Sequence, residues 1–126
     1  MALPPQHRLR GHRVFDRLYR QGRRLHGELM VLRVLTADQA LLPPGPQGHA
    51  PSDWRFGVVV STKVHKRAVR RNRLRRLLHD SLLHQQLNCP TPLWLLLSLK
   101  PGSADADPAQ LLGEWQQLLR KAGLCP

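Results

Sequence analysis

Lys63, Lys66, Arg67, Arg70, Arg71, Arg73, Arg75 and Arg76 fall within one seventeen-residue stretch, KVHKRAVRRNRLRRLLH, that contains no acid. They are eight of the chain's twenty lysines and arginines. The chemistry open to such residues is phosphate binding, because the planar guanidinium fork grips phosphate oxygens two at a time. A run of like charge this dense stays disordered unless an anion neutralises it. This run nevertheless has helical periodicity. Leu74, Leu77, Leu78 and Ser81 lie on one stripe, and Asn72, Arg75, Arg76 and His79 on the opposite side. The spacing predicts a helix from about Lys66 to Gln85 that packs one face and holds guanidinium groups out on the other. Arg70 falls on the side of Leu74 and Leu77, so its stem should run along the core edge with the head outside.

Residues for protein catalysis are missing from the pattern. The seven histidines are scattered, with no pair at the spacing of a metal site, and are expected to be solvated surface residues. His79 and His84 are five apart and so point to different helix faces. The acids are singletons apart from Asp105 and Asp107, and no phosphate-cradling glycine loop is present. If the chain serves an enzyme, the reaction belongs to its partner.

The elements that must position the cations follow from the rest of the chain. At 126 residues one domain is expected over 1–126, with one core. The net charge of +12 and the pI near 11.5 name a partner class, polyanion, and nucleic acid first. The longest apolar run, Leu93 to Leu97, is far too short to cross a membrane. The N-terminal residues lack the apolar core of a signal peptide. Cys89 and Cys125 have no metal-ligand spacing and read as free thiols of a reducing compartment, so a cytoplasmic location is expected.

Residues 1–8, with Pro4 and Pro5, read as a loose basic tail. A short helix is expected from about His12 to Gln21, ended by Gly22. Its apolar stripe is Val14, Phe15, Leu18 and Tyr19. Phe15 and Tyr19, four apart, share a surface. Spacing alone favours a core role for both. The functional alternative is a stacking platform for single-stranded bases, flanked by Arg13, Arg17, Arg20, Arg23 and Arg24. Residues 29–35 and 55–61 read as strands, with a buried helix turn the alternative for 29–35 and with Arg33 on the face of Leu29 and Val31. The simplest pairing of these two strands is antiparallel. Gly57 marks a bulge or a close approach. Between them, 36–53 is a long loop rich in proline and glycine. Pro90 and Pro92 end the basic helix, and residues 93–99, LWLLLSL, form a buried strand. Asp107 can cap a last helix with Pro108 at its first position and Gln110 three residues after the cap. Leu111, Leu112, Trp115, Leu118 and Leu119 form its stripe, Arg120 and Lys121 favour its end, and Gly123 closes it. The class is α+β, a two-layer sandwich of order α-β-β-(β)-α-β-α with helices packed on a small sheet.

The stretch Lys63, Ala68, Val69, Arg71, Asn72, Arg73, Arg75 and Arg76 resembles the arginine–asparagine–arginine signature of the bacterial ribonuclease P protein component. The match is a composite of eight positions at fixed spacing. Leu9 and Arg10 with Phe15 and Tyr19 look like that family's first helix, Arg55-Phe56-Gly57-Val58 like a strand, and Leu99-Lys100-Pro101 like the end of its last strand. There are departures. Lys66 and Arg67 fill a region where glycine is common, Arg75 replaces a usual lysine, and His79 a common arginine. Arg33 stands where some relatives carry an aromatic, and the 36–53 loop is longer than usual.

The resemblance implies a small subunit that binds a large catalytic RNA and helps remove the 5′ leader of precursor transfer RNA. The RNA and its magnesium ions (Mg2+) would carry the hydrolysis, with no metal bound by the protein alone. It further implies a left-handed crossover through the basic helix, against the usual right-handed rule. Lys66, Arg67, Arg71, Asn72, Arg73, Arg75 and Arg76 would contact the RNA subunit's backbone, which positions without reading sequence. Phe15, Tyr19, Arg33, Ser61, Lys63 and Ser98 would line the leader cleft. One copy per holoenzyme and no membrane partner are expected. Two alternatives stand beside it: a ribosomal or other structural RNA-binding protein, and, more weakly, a DNA module reading the major groove with the basic helix.

Overall fold

The structure is a computed structural model, and it describes residues 7–37, 54–85, 87 and 92–125. The expected long loop from 38 on, most of the tail, Cys89 and Pro90 lie outside the described residues. The order is helix α1 (His12–Gln21), strands β1 (Arg23–His26), β2 (Met30–Thr36) and β3 (Trp54–Val59), helix α2 (Ala68–Leu83), strand β4 (Leu93–Leu99) and helix α3 (Pro108–Lys121). This is the α+β order expected, with β1 as the further strand.

The sheet runs β1-β2-β4-β3. β2 and β3 are therefore not the antiparallel pair that their sequence suggests. β4 lies between them, antiparallel to β2 and parallel to β3. The reason lies in β4 itself. Trp94, Leu95, Leu96 and Leu97 are all fully buried, and a strand apolar on both faces has to sit at the centre of a sheet. The parallel pair β3 and β4 is joined through α2.

Strand alternation gives the sheet two faces. One carries Met30, Leu32, Phe56, Leu95, Leu97 and Leu99, covered by Leu78 and Leu82 of α2 and by Leu111, Trp115, Leu118 and Leu119 of α3. Phe56 and Trp115 stack there at 5.2 Å. The other carries Trp94 and Leu96, covered by Leu9 and by Val14 and Leu18 of α1. The two layers expected thus gain a partial third.

Local signals explain the helix ends. The Asp107 side chain accepts the Ala109 N–H at 3.2 Å. Gly123, at φ +78°, closes α3 with the bonds Gly123 N to Arg120 O and Leu124 N to Leu119 O, the paired pattern of a left-handed glycine cap. Gly22 works differently. Its backbone is extended, but a Cβ there would meet Leu18 O at 2.5 Å and the Arg33 Cβ at 3.3 Å. Glycine is needed because α1 ends pressed against β2. At Gly57 the β3–β4 register is unbroken, so no bulge exists; Leu9 approaches to 3.3 Å of where a Cβ would stand.

The last two residues of the expected tail are docked. His7 stacks on Trp54 at 3.9 Å and bonds Trp54 O. Arg8 bridges Phe56 in parallel, and Leu9 N donates to Phe56 O. The open edge of β3 supplies the unpaired backbone groups that hold this segment.

Candidate nucleic-acid interface

Two cationic regions emerge, one on α2 and one on the α1 face of the sheet. The first turn of α2 contains no acid, and Arg67 at its N-cap makes no side-chain cap. Lys66, Arg67, Arg70, Asn72, Arg73 and Arg76 are exposed. Positive side chains thus crowd the end of a helix whose dipole is already positive, an arrangement favourable only when an anion is bound. Val69 is 70% exposed among them, an apolar surface within the cationic one. Arg70 is exposed, with its head outside as expected.

Two arginines of this helix also organise it. Arg71 Nη1 donates to His65 O at 3.0 Å and to Lys66 O at 2.7 Å. Arg75 donates to Asn72 Oδ1 at 2.6 Å and, weakly at 3.5 Å, to Val60 O. His65 Nδ1 accepts the Arg67 N–H at 3.0 Å. The loop entering α2 is therefore fixed by its own cations.

This overturns part of the expected helical wheel. The buried residues of α2 are Leu78 and Leu82, and i−3 and i−7 spacing from them turns Arg71, Arg75 and His79 inward. His79, expected on the solvent side, packs edge-on against Phe56 at 5.7 Å. Its pKa falls below 6.5, first through burial and then through Arg8 and Arg75, with Asp80 opposing. His79 and the stacked His7 thus depart from the solvated surface expected for the histidines. The expected stripe itself holds, with Leu78 buried and Leu74 and Leu77 packed against the larger core; the inward face is wider than that stripe, because arginine stems can also cover apolar surface.

On the sheet face under α1, Val31 pairs with Ser98, Arg33 with Leu96, and Val59 with Ser98 from the other side. Arg33 Nη1 donates to Ser98 Oγ at 3.3 Å, and the Arg33 guanidinium lies over the Tyr19 ring at 4.7 Å, within cation–π range. Tyr19 is 47% exposed. Phe15 is half-buried against the smaller core. Neither aromatic is the plain core residue that spacing alone favours. The structure thus brings Phe15, Tyr19, Arg33 and Ser98 to one partly open face. Ser61 and Lys63 are exposed in the turn beyond β3, at the end of that face. Arg24, opposite Arg33 in the ladder, is the residue that sequence reasoning passed over. Its only sequence signal was membership of the flanking cations.

Among the described residues no three of His, Cys, Asp and Glu cluster as metal ligands, Cys125 is a free thiol, and no helix is long and apolar enough to cross a membrane.

The family model of ribonuclease P matches residues 3–123. The chain belongs to the ribonuclease P protein family. A ribonuclease P protein component of Parasynechococcus marenigrum (strain WH8102) is 54% identical over 127 residues, covering 98% of each chain. One of Prochlorococcus marinus (strain MIT 9313) is 46% identical over 126 residues, again covering 98% of each. Among solved structures, the Staphylococcus aureus ribonuclease P protein matches with a TM-score of 0.74 at 16% identity, over 95% of this chain and 98% of that one. The Thermotoga maritima ribonuclease P protein matches with a TM-score of 0.69 at 21% identity, over 90% and 96%. These two show the fold. The ribonuclease P match spans α1, the sheet, α2 and α3, so both cationic regions lie within it. Transfer-RNA processing by a ribonuclease is the role of that family.

Proposed function

We propose that this chain is the protein subunit of a ribonuclease P whose catalytic part is RNA, and that its two cationic regions hold two different RNAs. The exposed cations of α2, with Asn72, bind the backbone of the RNA subunit. The half-open face under α1 holds the 5′ leader of precursor transfer RNA. Tyr19 and Phe15 offer ring surface to bases, Arg33, Ser98, Ser61 and Lys63 offer donors to phosphate and ribose, and none of these contacts depends on base identity. The observation that carries the reading is the Arg33–Tyr19–Ser98 group. It is a cation, a ring and a hydroxyl assembled on a sheet face that α1 leaves partly uncovered.

The hydrolysis itself belongs to the RNA partner with its magnesium ions. The protein's part is to bind and orient the leader, and to lower repulsion between RNA segments with its cations. The subunit acts as one copy per holoenzyme in the cytoplasm. The test is reconstitution. Purified protein stripped of RNA should leave precursor transfer RNA intact at any magnesium concentration. With the ribonuclease P RNA added, it should increase affinity for precursor over mature transfer RNA. Cleavage that survives nuclease treatment of the preparation, or equal enhancement for precursor and mature forms, would overturn the proposal.

A further inference from the structure

Arg24 of β1 and Arg33 of β2 are directly opposed across the ladder. Residues in that relation share a face, with Cβ atoms about 4.5–5.5 Å apart, and like charges so placed destabilise a sheet. β1 is four residues long, so it has little other pairing to offset the repulsion. No described carboxylate answers the pair. Asp16 of α1 is engaged by Arg20 at 3.2 Å. The Glu114 oxygens take the Glu28 and Leu29 N–H groups at 2.7 and 2.9 Å. Arg33 is only partly satisfied: Ser98 and the Tyr19 ring take one side of its guanidinium, while its Nε is buried without a partner. Arg24 is exposed.

The strand that bears Arg24 is well fixed. Arg23, on the opposite face, donates to Ala122 O beyond the end of α3 at 3.2 Å. Glu114 of α3 clamps the turn that follows β1. Two cations are thus held face to face on a braced strand pair, with a donor left over and no described acid to meet them. Such a pair is completed by an anion that accepts from two forks, and a phosphodiester is the anion of that geometry.

We propose that Arg24 and Arg33 form a two-arginine seat for one backbone phosphate of the precursor leader, on the side of the cleft toward the β1 edge. The inference rests on the leader reading above and adds a direction to it. The strand crosses from Ser98 and Phe15, over Arg33 and Tyr19, and out past Arg24. A small turn of the Arg33 guanidinium toward the phosphate supplies the acceptor that its Nε lacks. The seat recognises charge and spacing, so it fixes leader position without selecting sequence.

The experiment uses reconstituted holoenzyme and precursors of one transfer RNA whose leaders lengthen one nucleotide at a time. Arg24→Gln should weaken precursor binding by roughly 5- to 10-fold, the size of one charge-assisted contact, and only once the leader exceeds a threshold length. Arg24→Lys should keep most of the affinity. A single neutral methylphosphonate, moved along the leader, should erase the difference between wild type and Arg24→Gln at one position and at no other, the signature of a coupled pair. The melting temperature of Arg24→Gln should be unchanged or raised, because the mutation relieves repulsion. Equal losses for mature transfer RNA, a loss in affinity for the RNA subunit, or no change at any leader length would each overturn the seat. Tyr19→Ala in the same series separates the two claims. If Tyr19→Ala responds to the leader and Arg24→Gln does not, the cleft stands and the seat falls. If neither responds, the cleft reading itself fails.

Discussion

The two faces of the sheet are built from the same strands and come out opposite in character. The face under α2 and α3 is closed. Its core is an apolar cluster, its aromatics Phe56 and Trp115 stack on each other, and two helices cover it. The face under α1 has one ten-residue helix for cover. It seals Trp94 and Leu96 with Val14 and Leu18, then leaves Tyr19, Arg33 and Ser98 at the margin. Alternation along β2 and β4 separates the two roles one residue at a time. Leu32 and Val34 pack into the larger core, and Arg33 between them turns to the α1 face. A small domain can thus keep a stable core and a partly open polar surface on one sheet.

The sharpest way to break this contrast is at the closed face. Trp115→Ala removes a fully buried ring and should cost about 3–5 kcal/mol, a drop in Tm of about 10 °C or more in thermal unfolding. A loss well under 1 kcal/mol would mean that the closed face does not carry the stability. On the open face, Tyr19→Ala should reverse the pattern. Precursor affinity should fall roughly 5- to 150-fold, the value of one base stacked on a ring, with little change in Tm or in binding of mature transfer RNA. Phe15→Ala, half-buried, should show both effects at once. Equal Tm losses for Tyr19→Ala and Trp115→Ala would erase the distinction between the faces.

Smaller effects sharpen it. Log affinity for the RNA subunit should fall linearly with log salt, and Arg73→Ala should reduce that slope by about one unit. A slope that stays the same would remove Arg73 from the interface. The least of the effects is the pH dependence of His79, wedged beside Phe56 with Arg8 and Arg75 nearby. Its folded pKa lies below 6.5, so well above 6.5 it is neutral in both states and costs nothing. As pH falls below 6.5, the unfolded chain binds a proton that the folded chain resists, and stability declines. His79→Gln should flatten that part of the denaturation profile. An unaltered profile would show that the decline has another source.

The sequence makes some of this legible for clear reasons. Asp107, Pro108 and Gly123 mark the ends of α3 because capping is local chemistry. The run LWLLLSL announces a strand buried on both sides. The signature around Asn72 carries the family. Strand pairing is not local, and nothing in β2 or β3 alone says that β4 comes between them. β1, RRLH, has no apolar period because it is a short edge strand with only Leu25 turned to the core. The leucine stripe of α2 is legible, but the sequence pattern does not show that Arg75 and His79 flank it on the inward side, because their side chains carry no apolar period. The cleft residues were named by resemblance, whereas the Arg24–Arg33 opposition needed the register of a strand that the pattern did not define.

The place of β4 has a consequence in time. The strand that joins β2 to β3 is the last of the four to be synthesised. A nascent chain ending before Leu93 can form the β1–β2 hairpin and little else of the sheet, and its arginine-rich segment emerges with no fold to display it on. Every pairing that gives α2 a surface to lie against waits for seven residues near the end of the chain. Non-local pairing of this kind slows folding. The protein therefore has no partly built version of its cationic surface; the surface is completed only when β4 slots into the gap held between its neighbours.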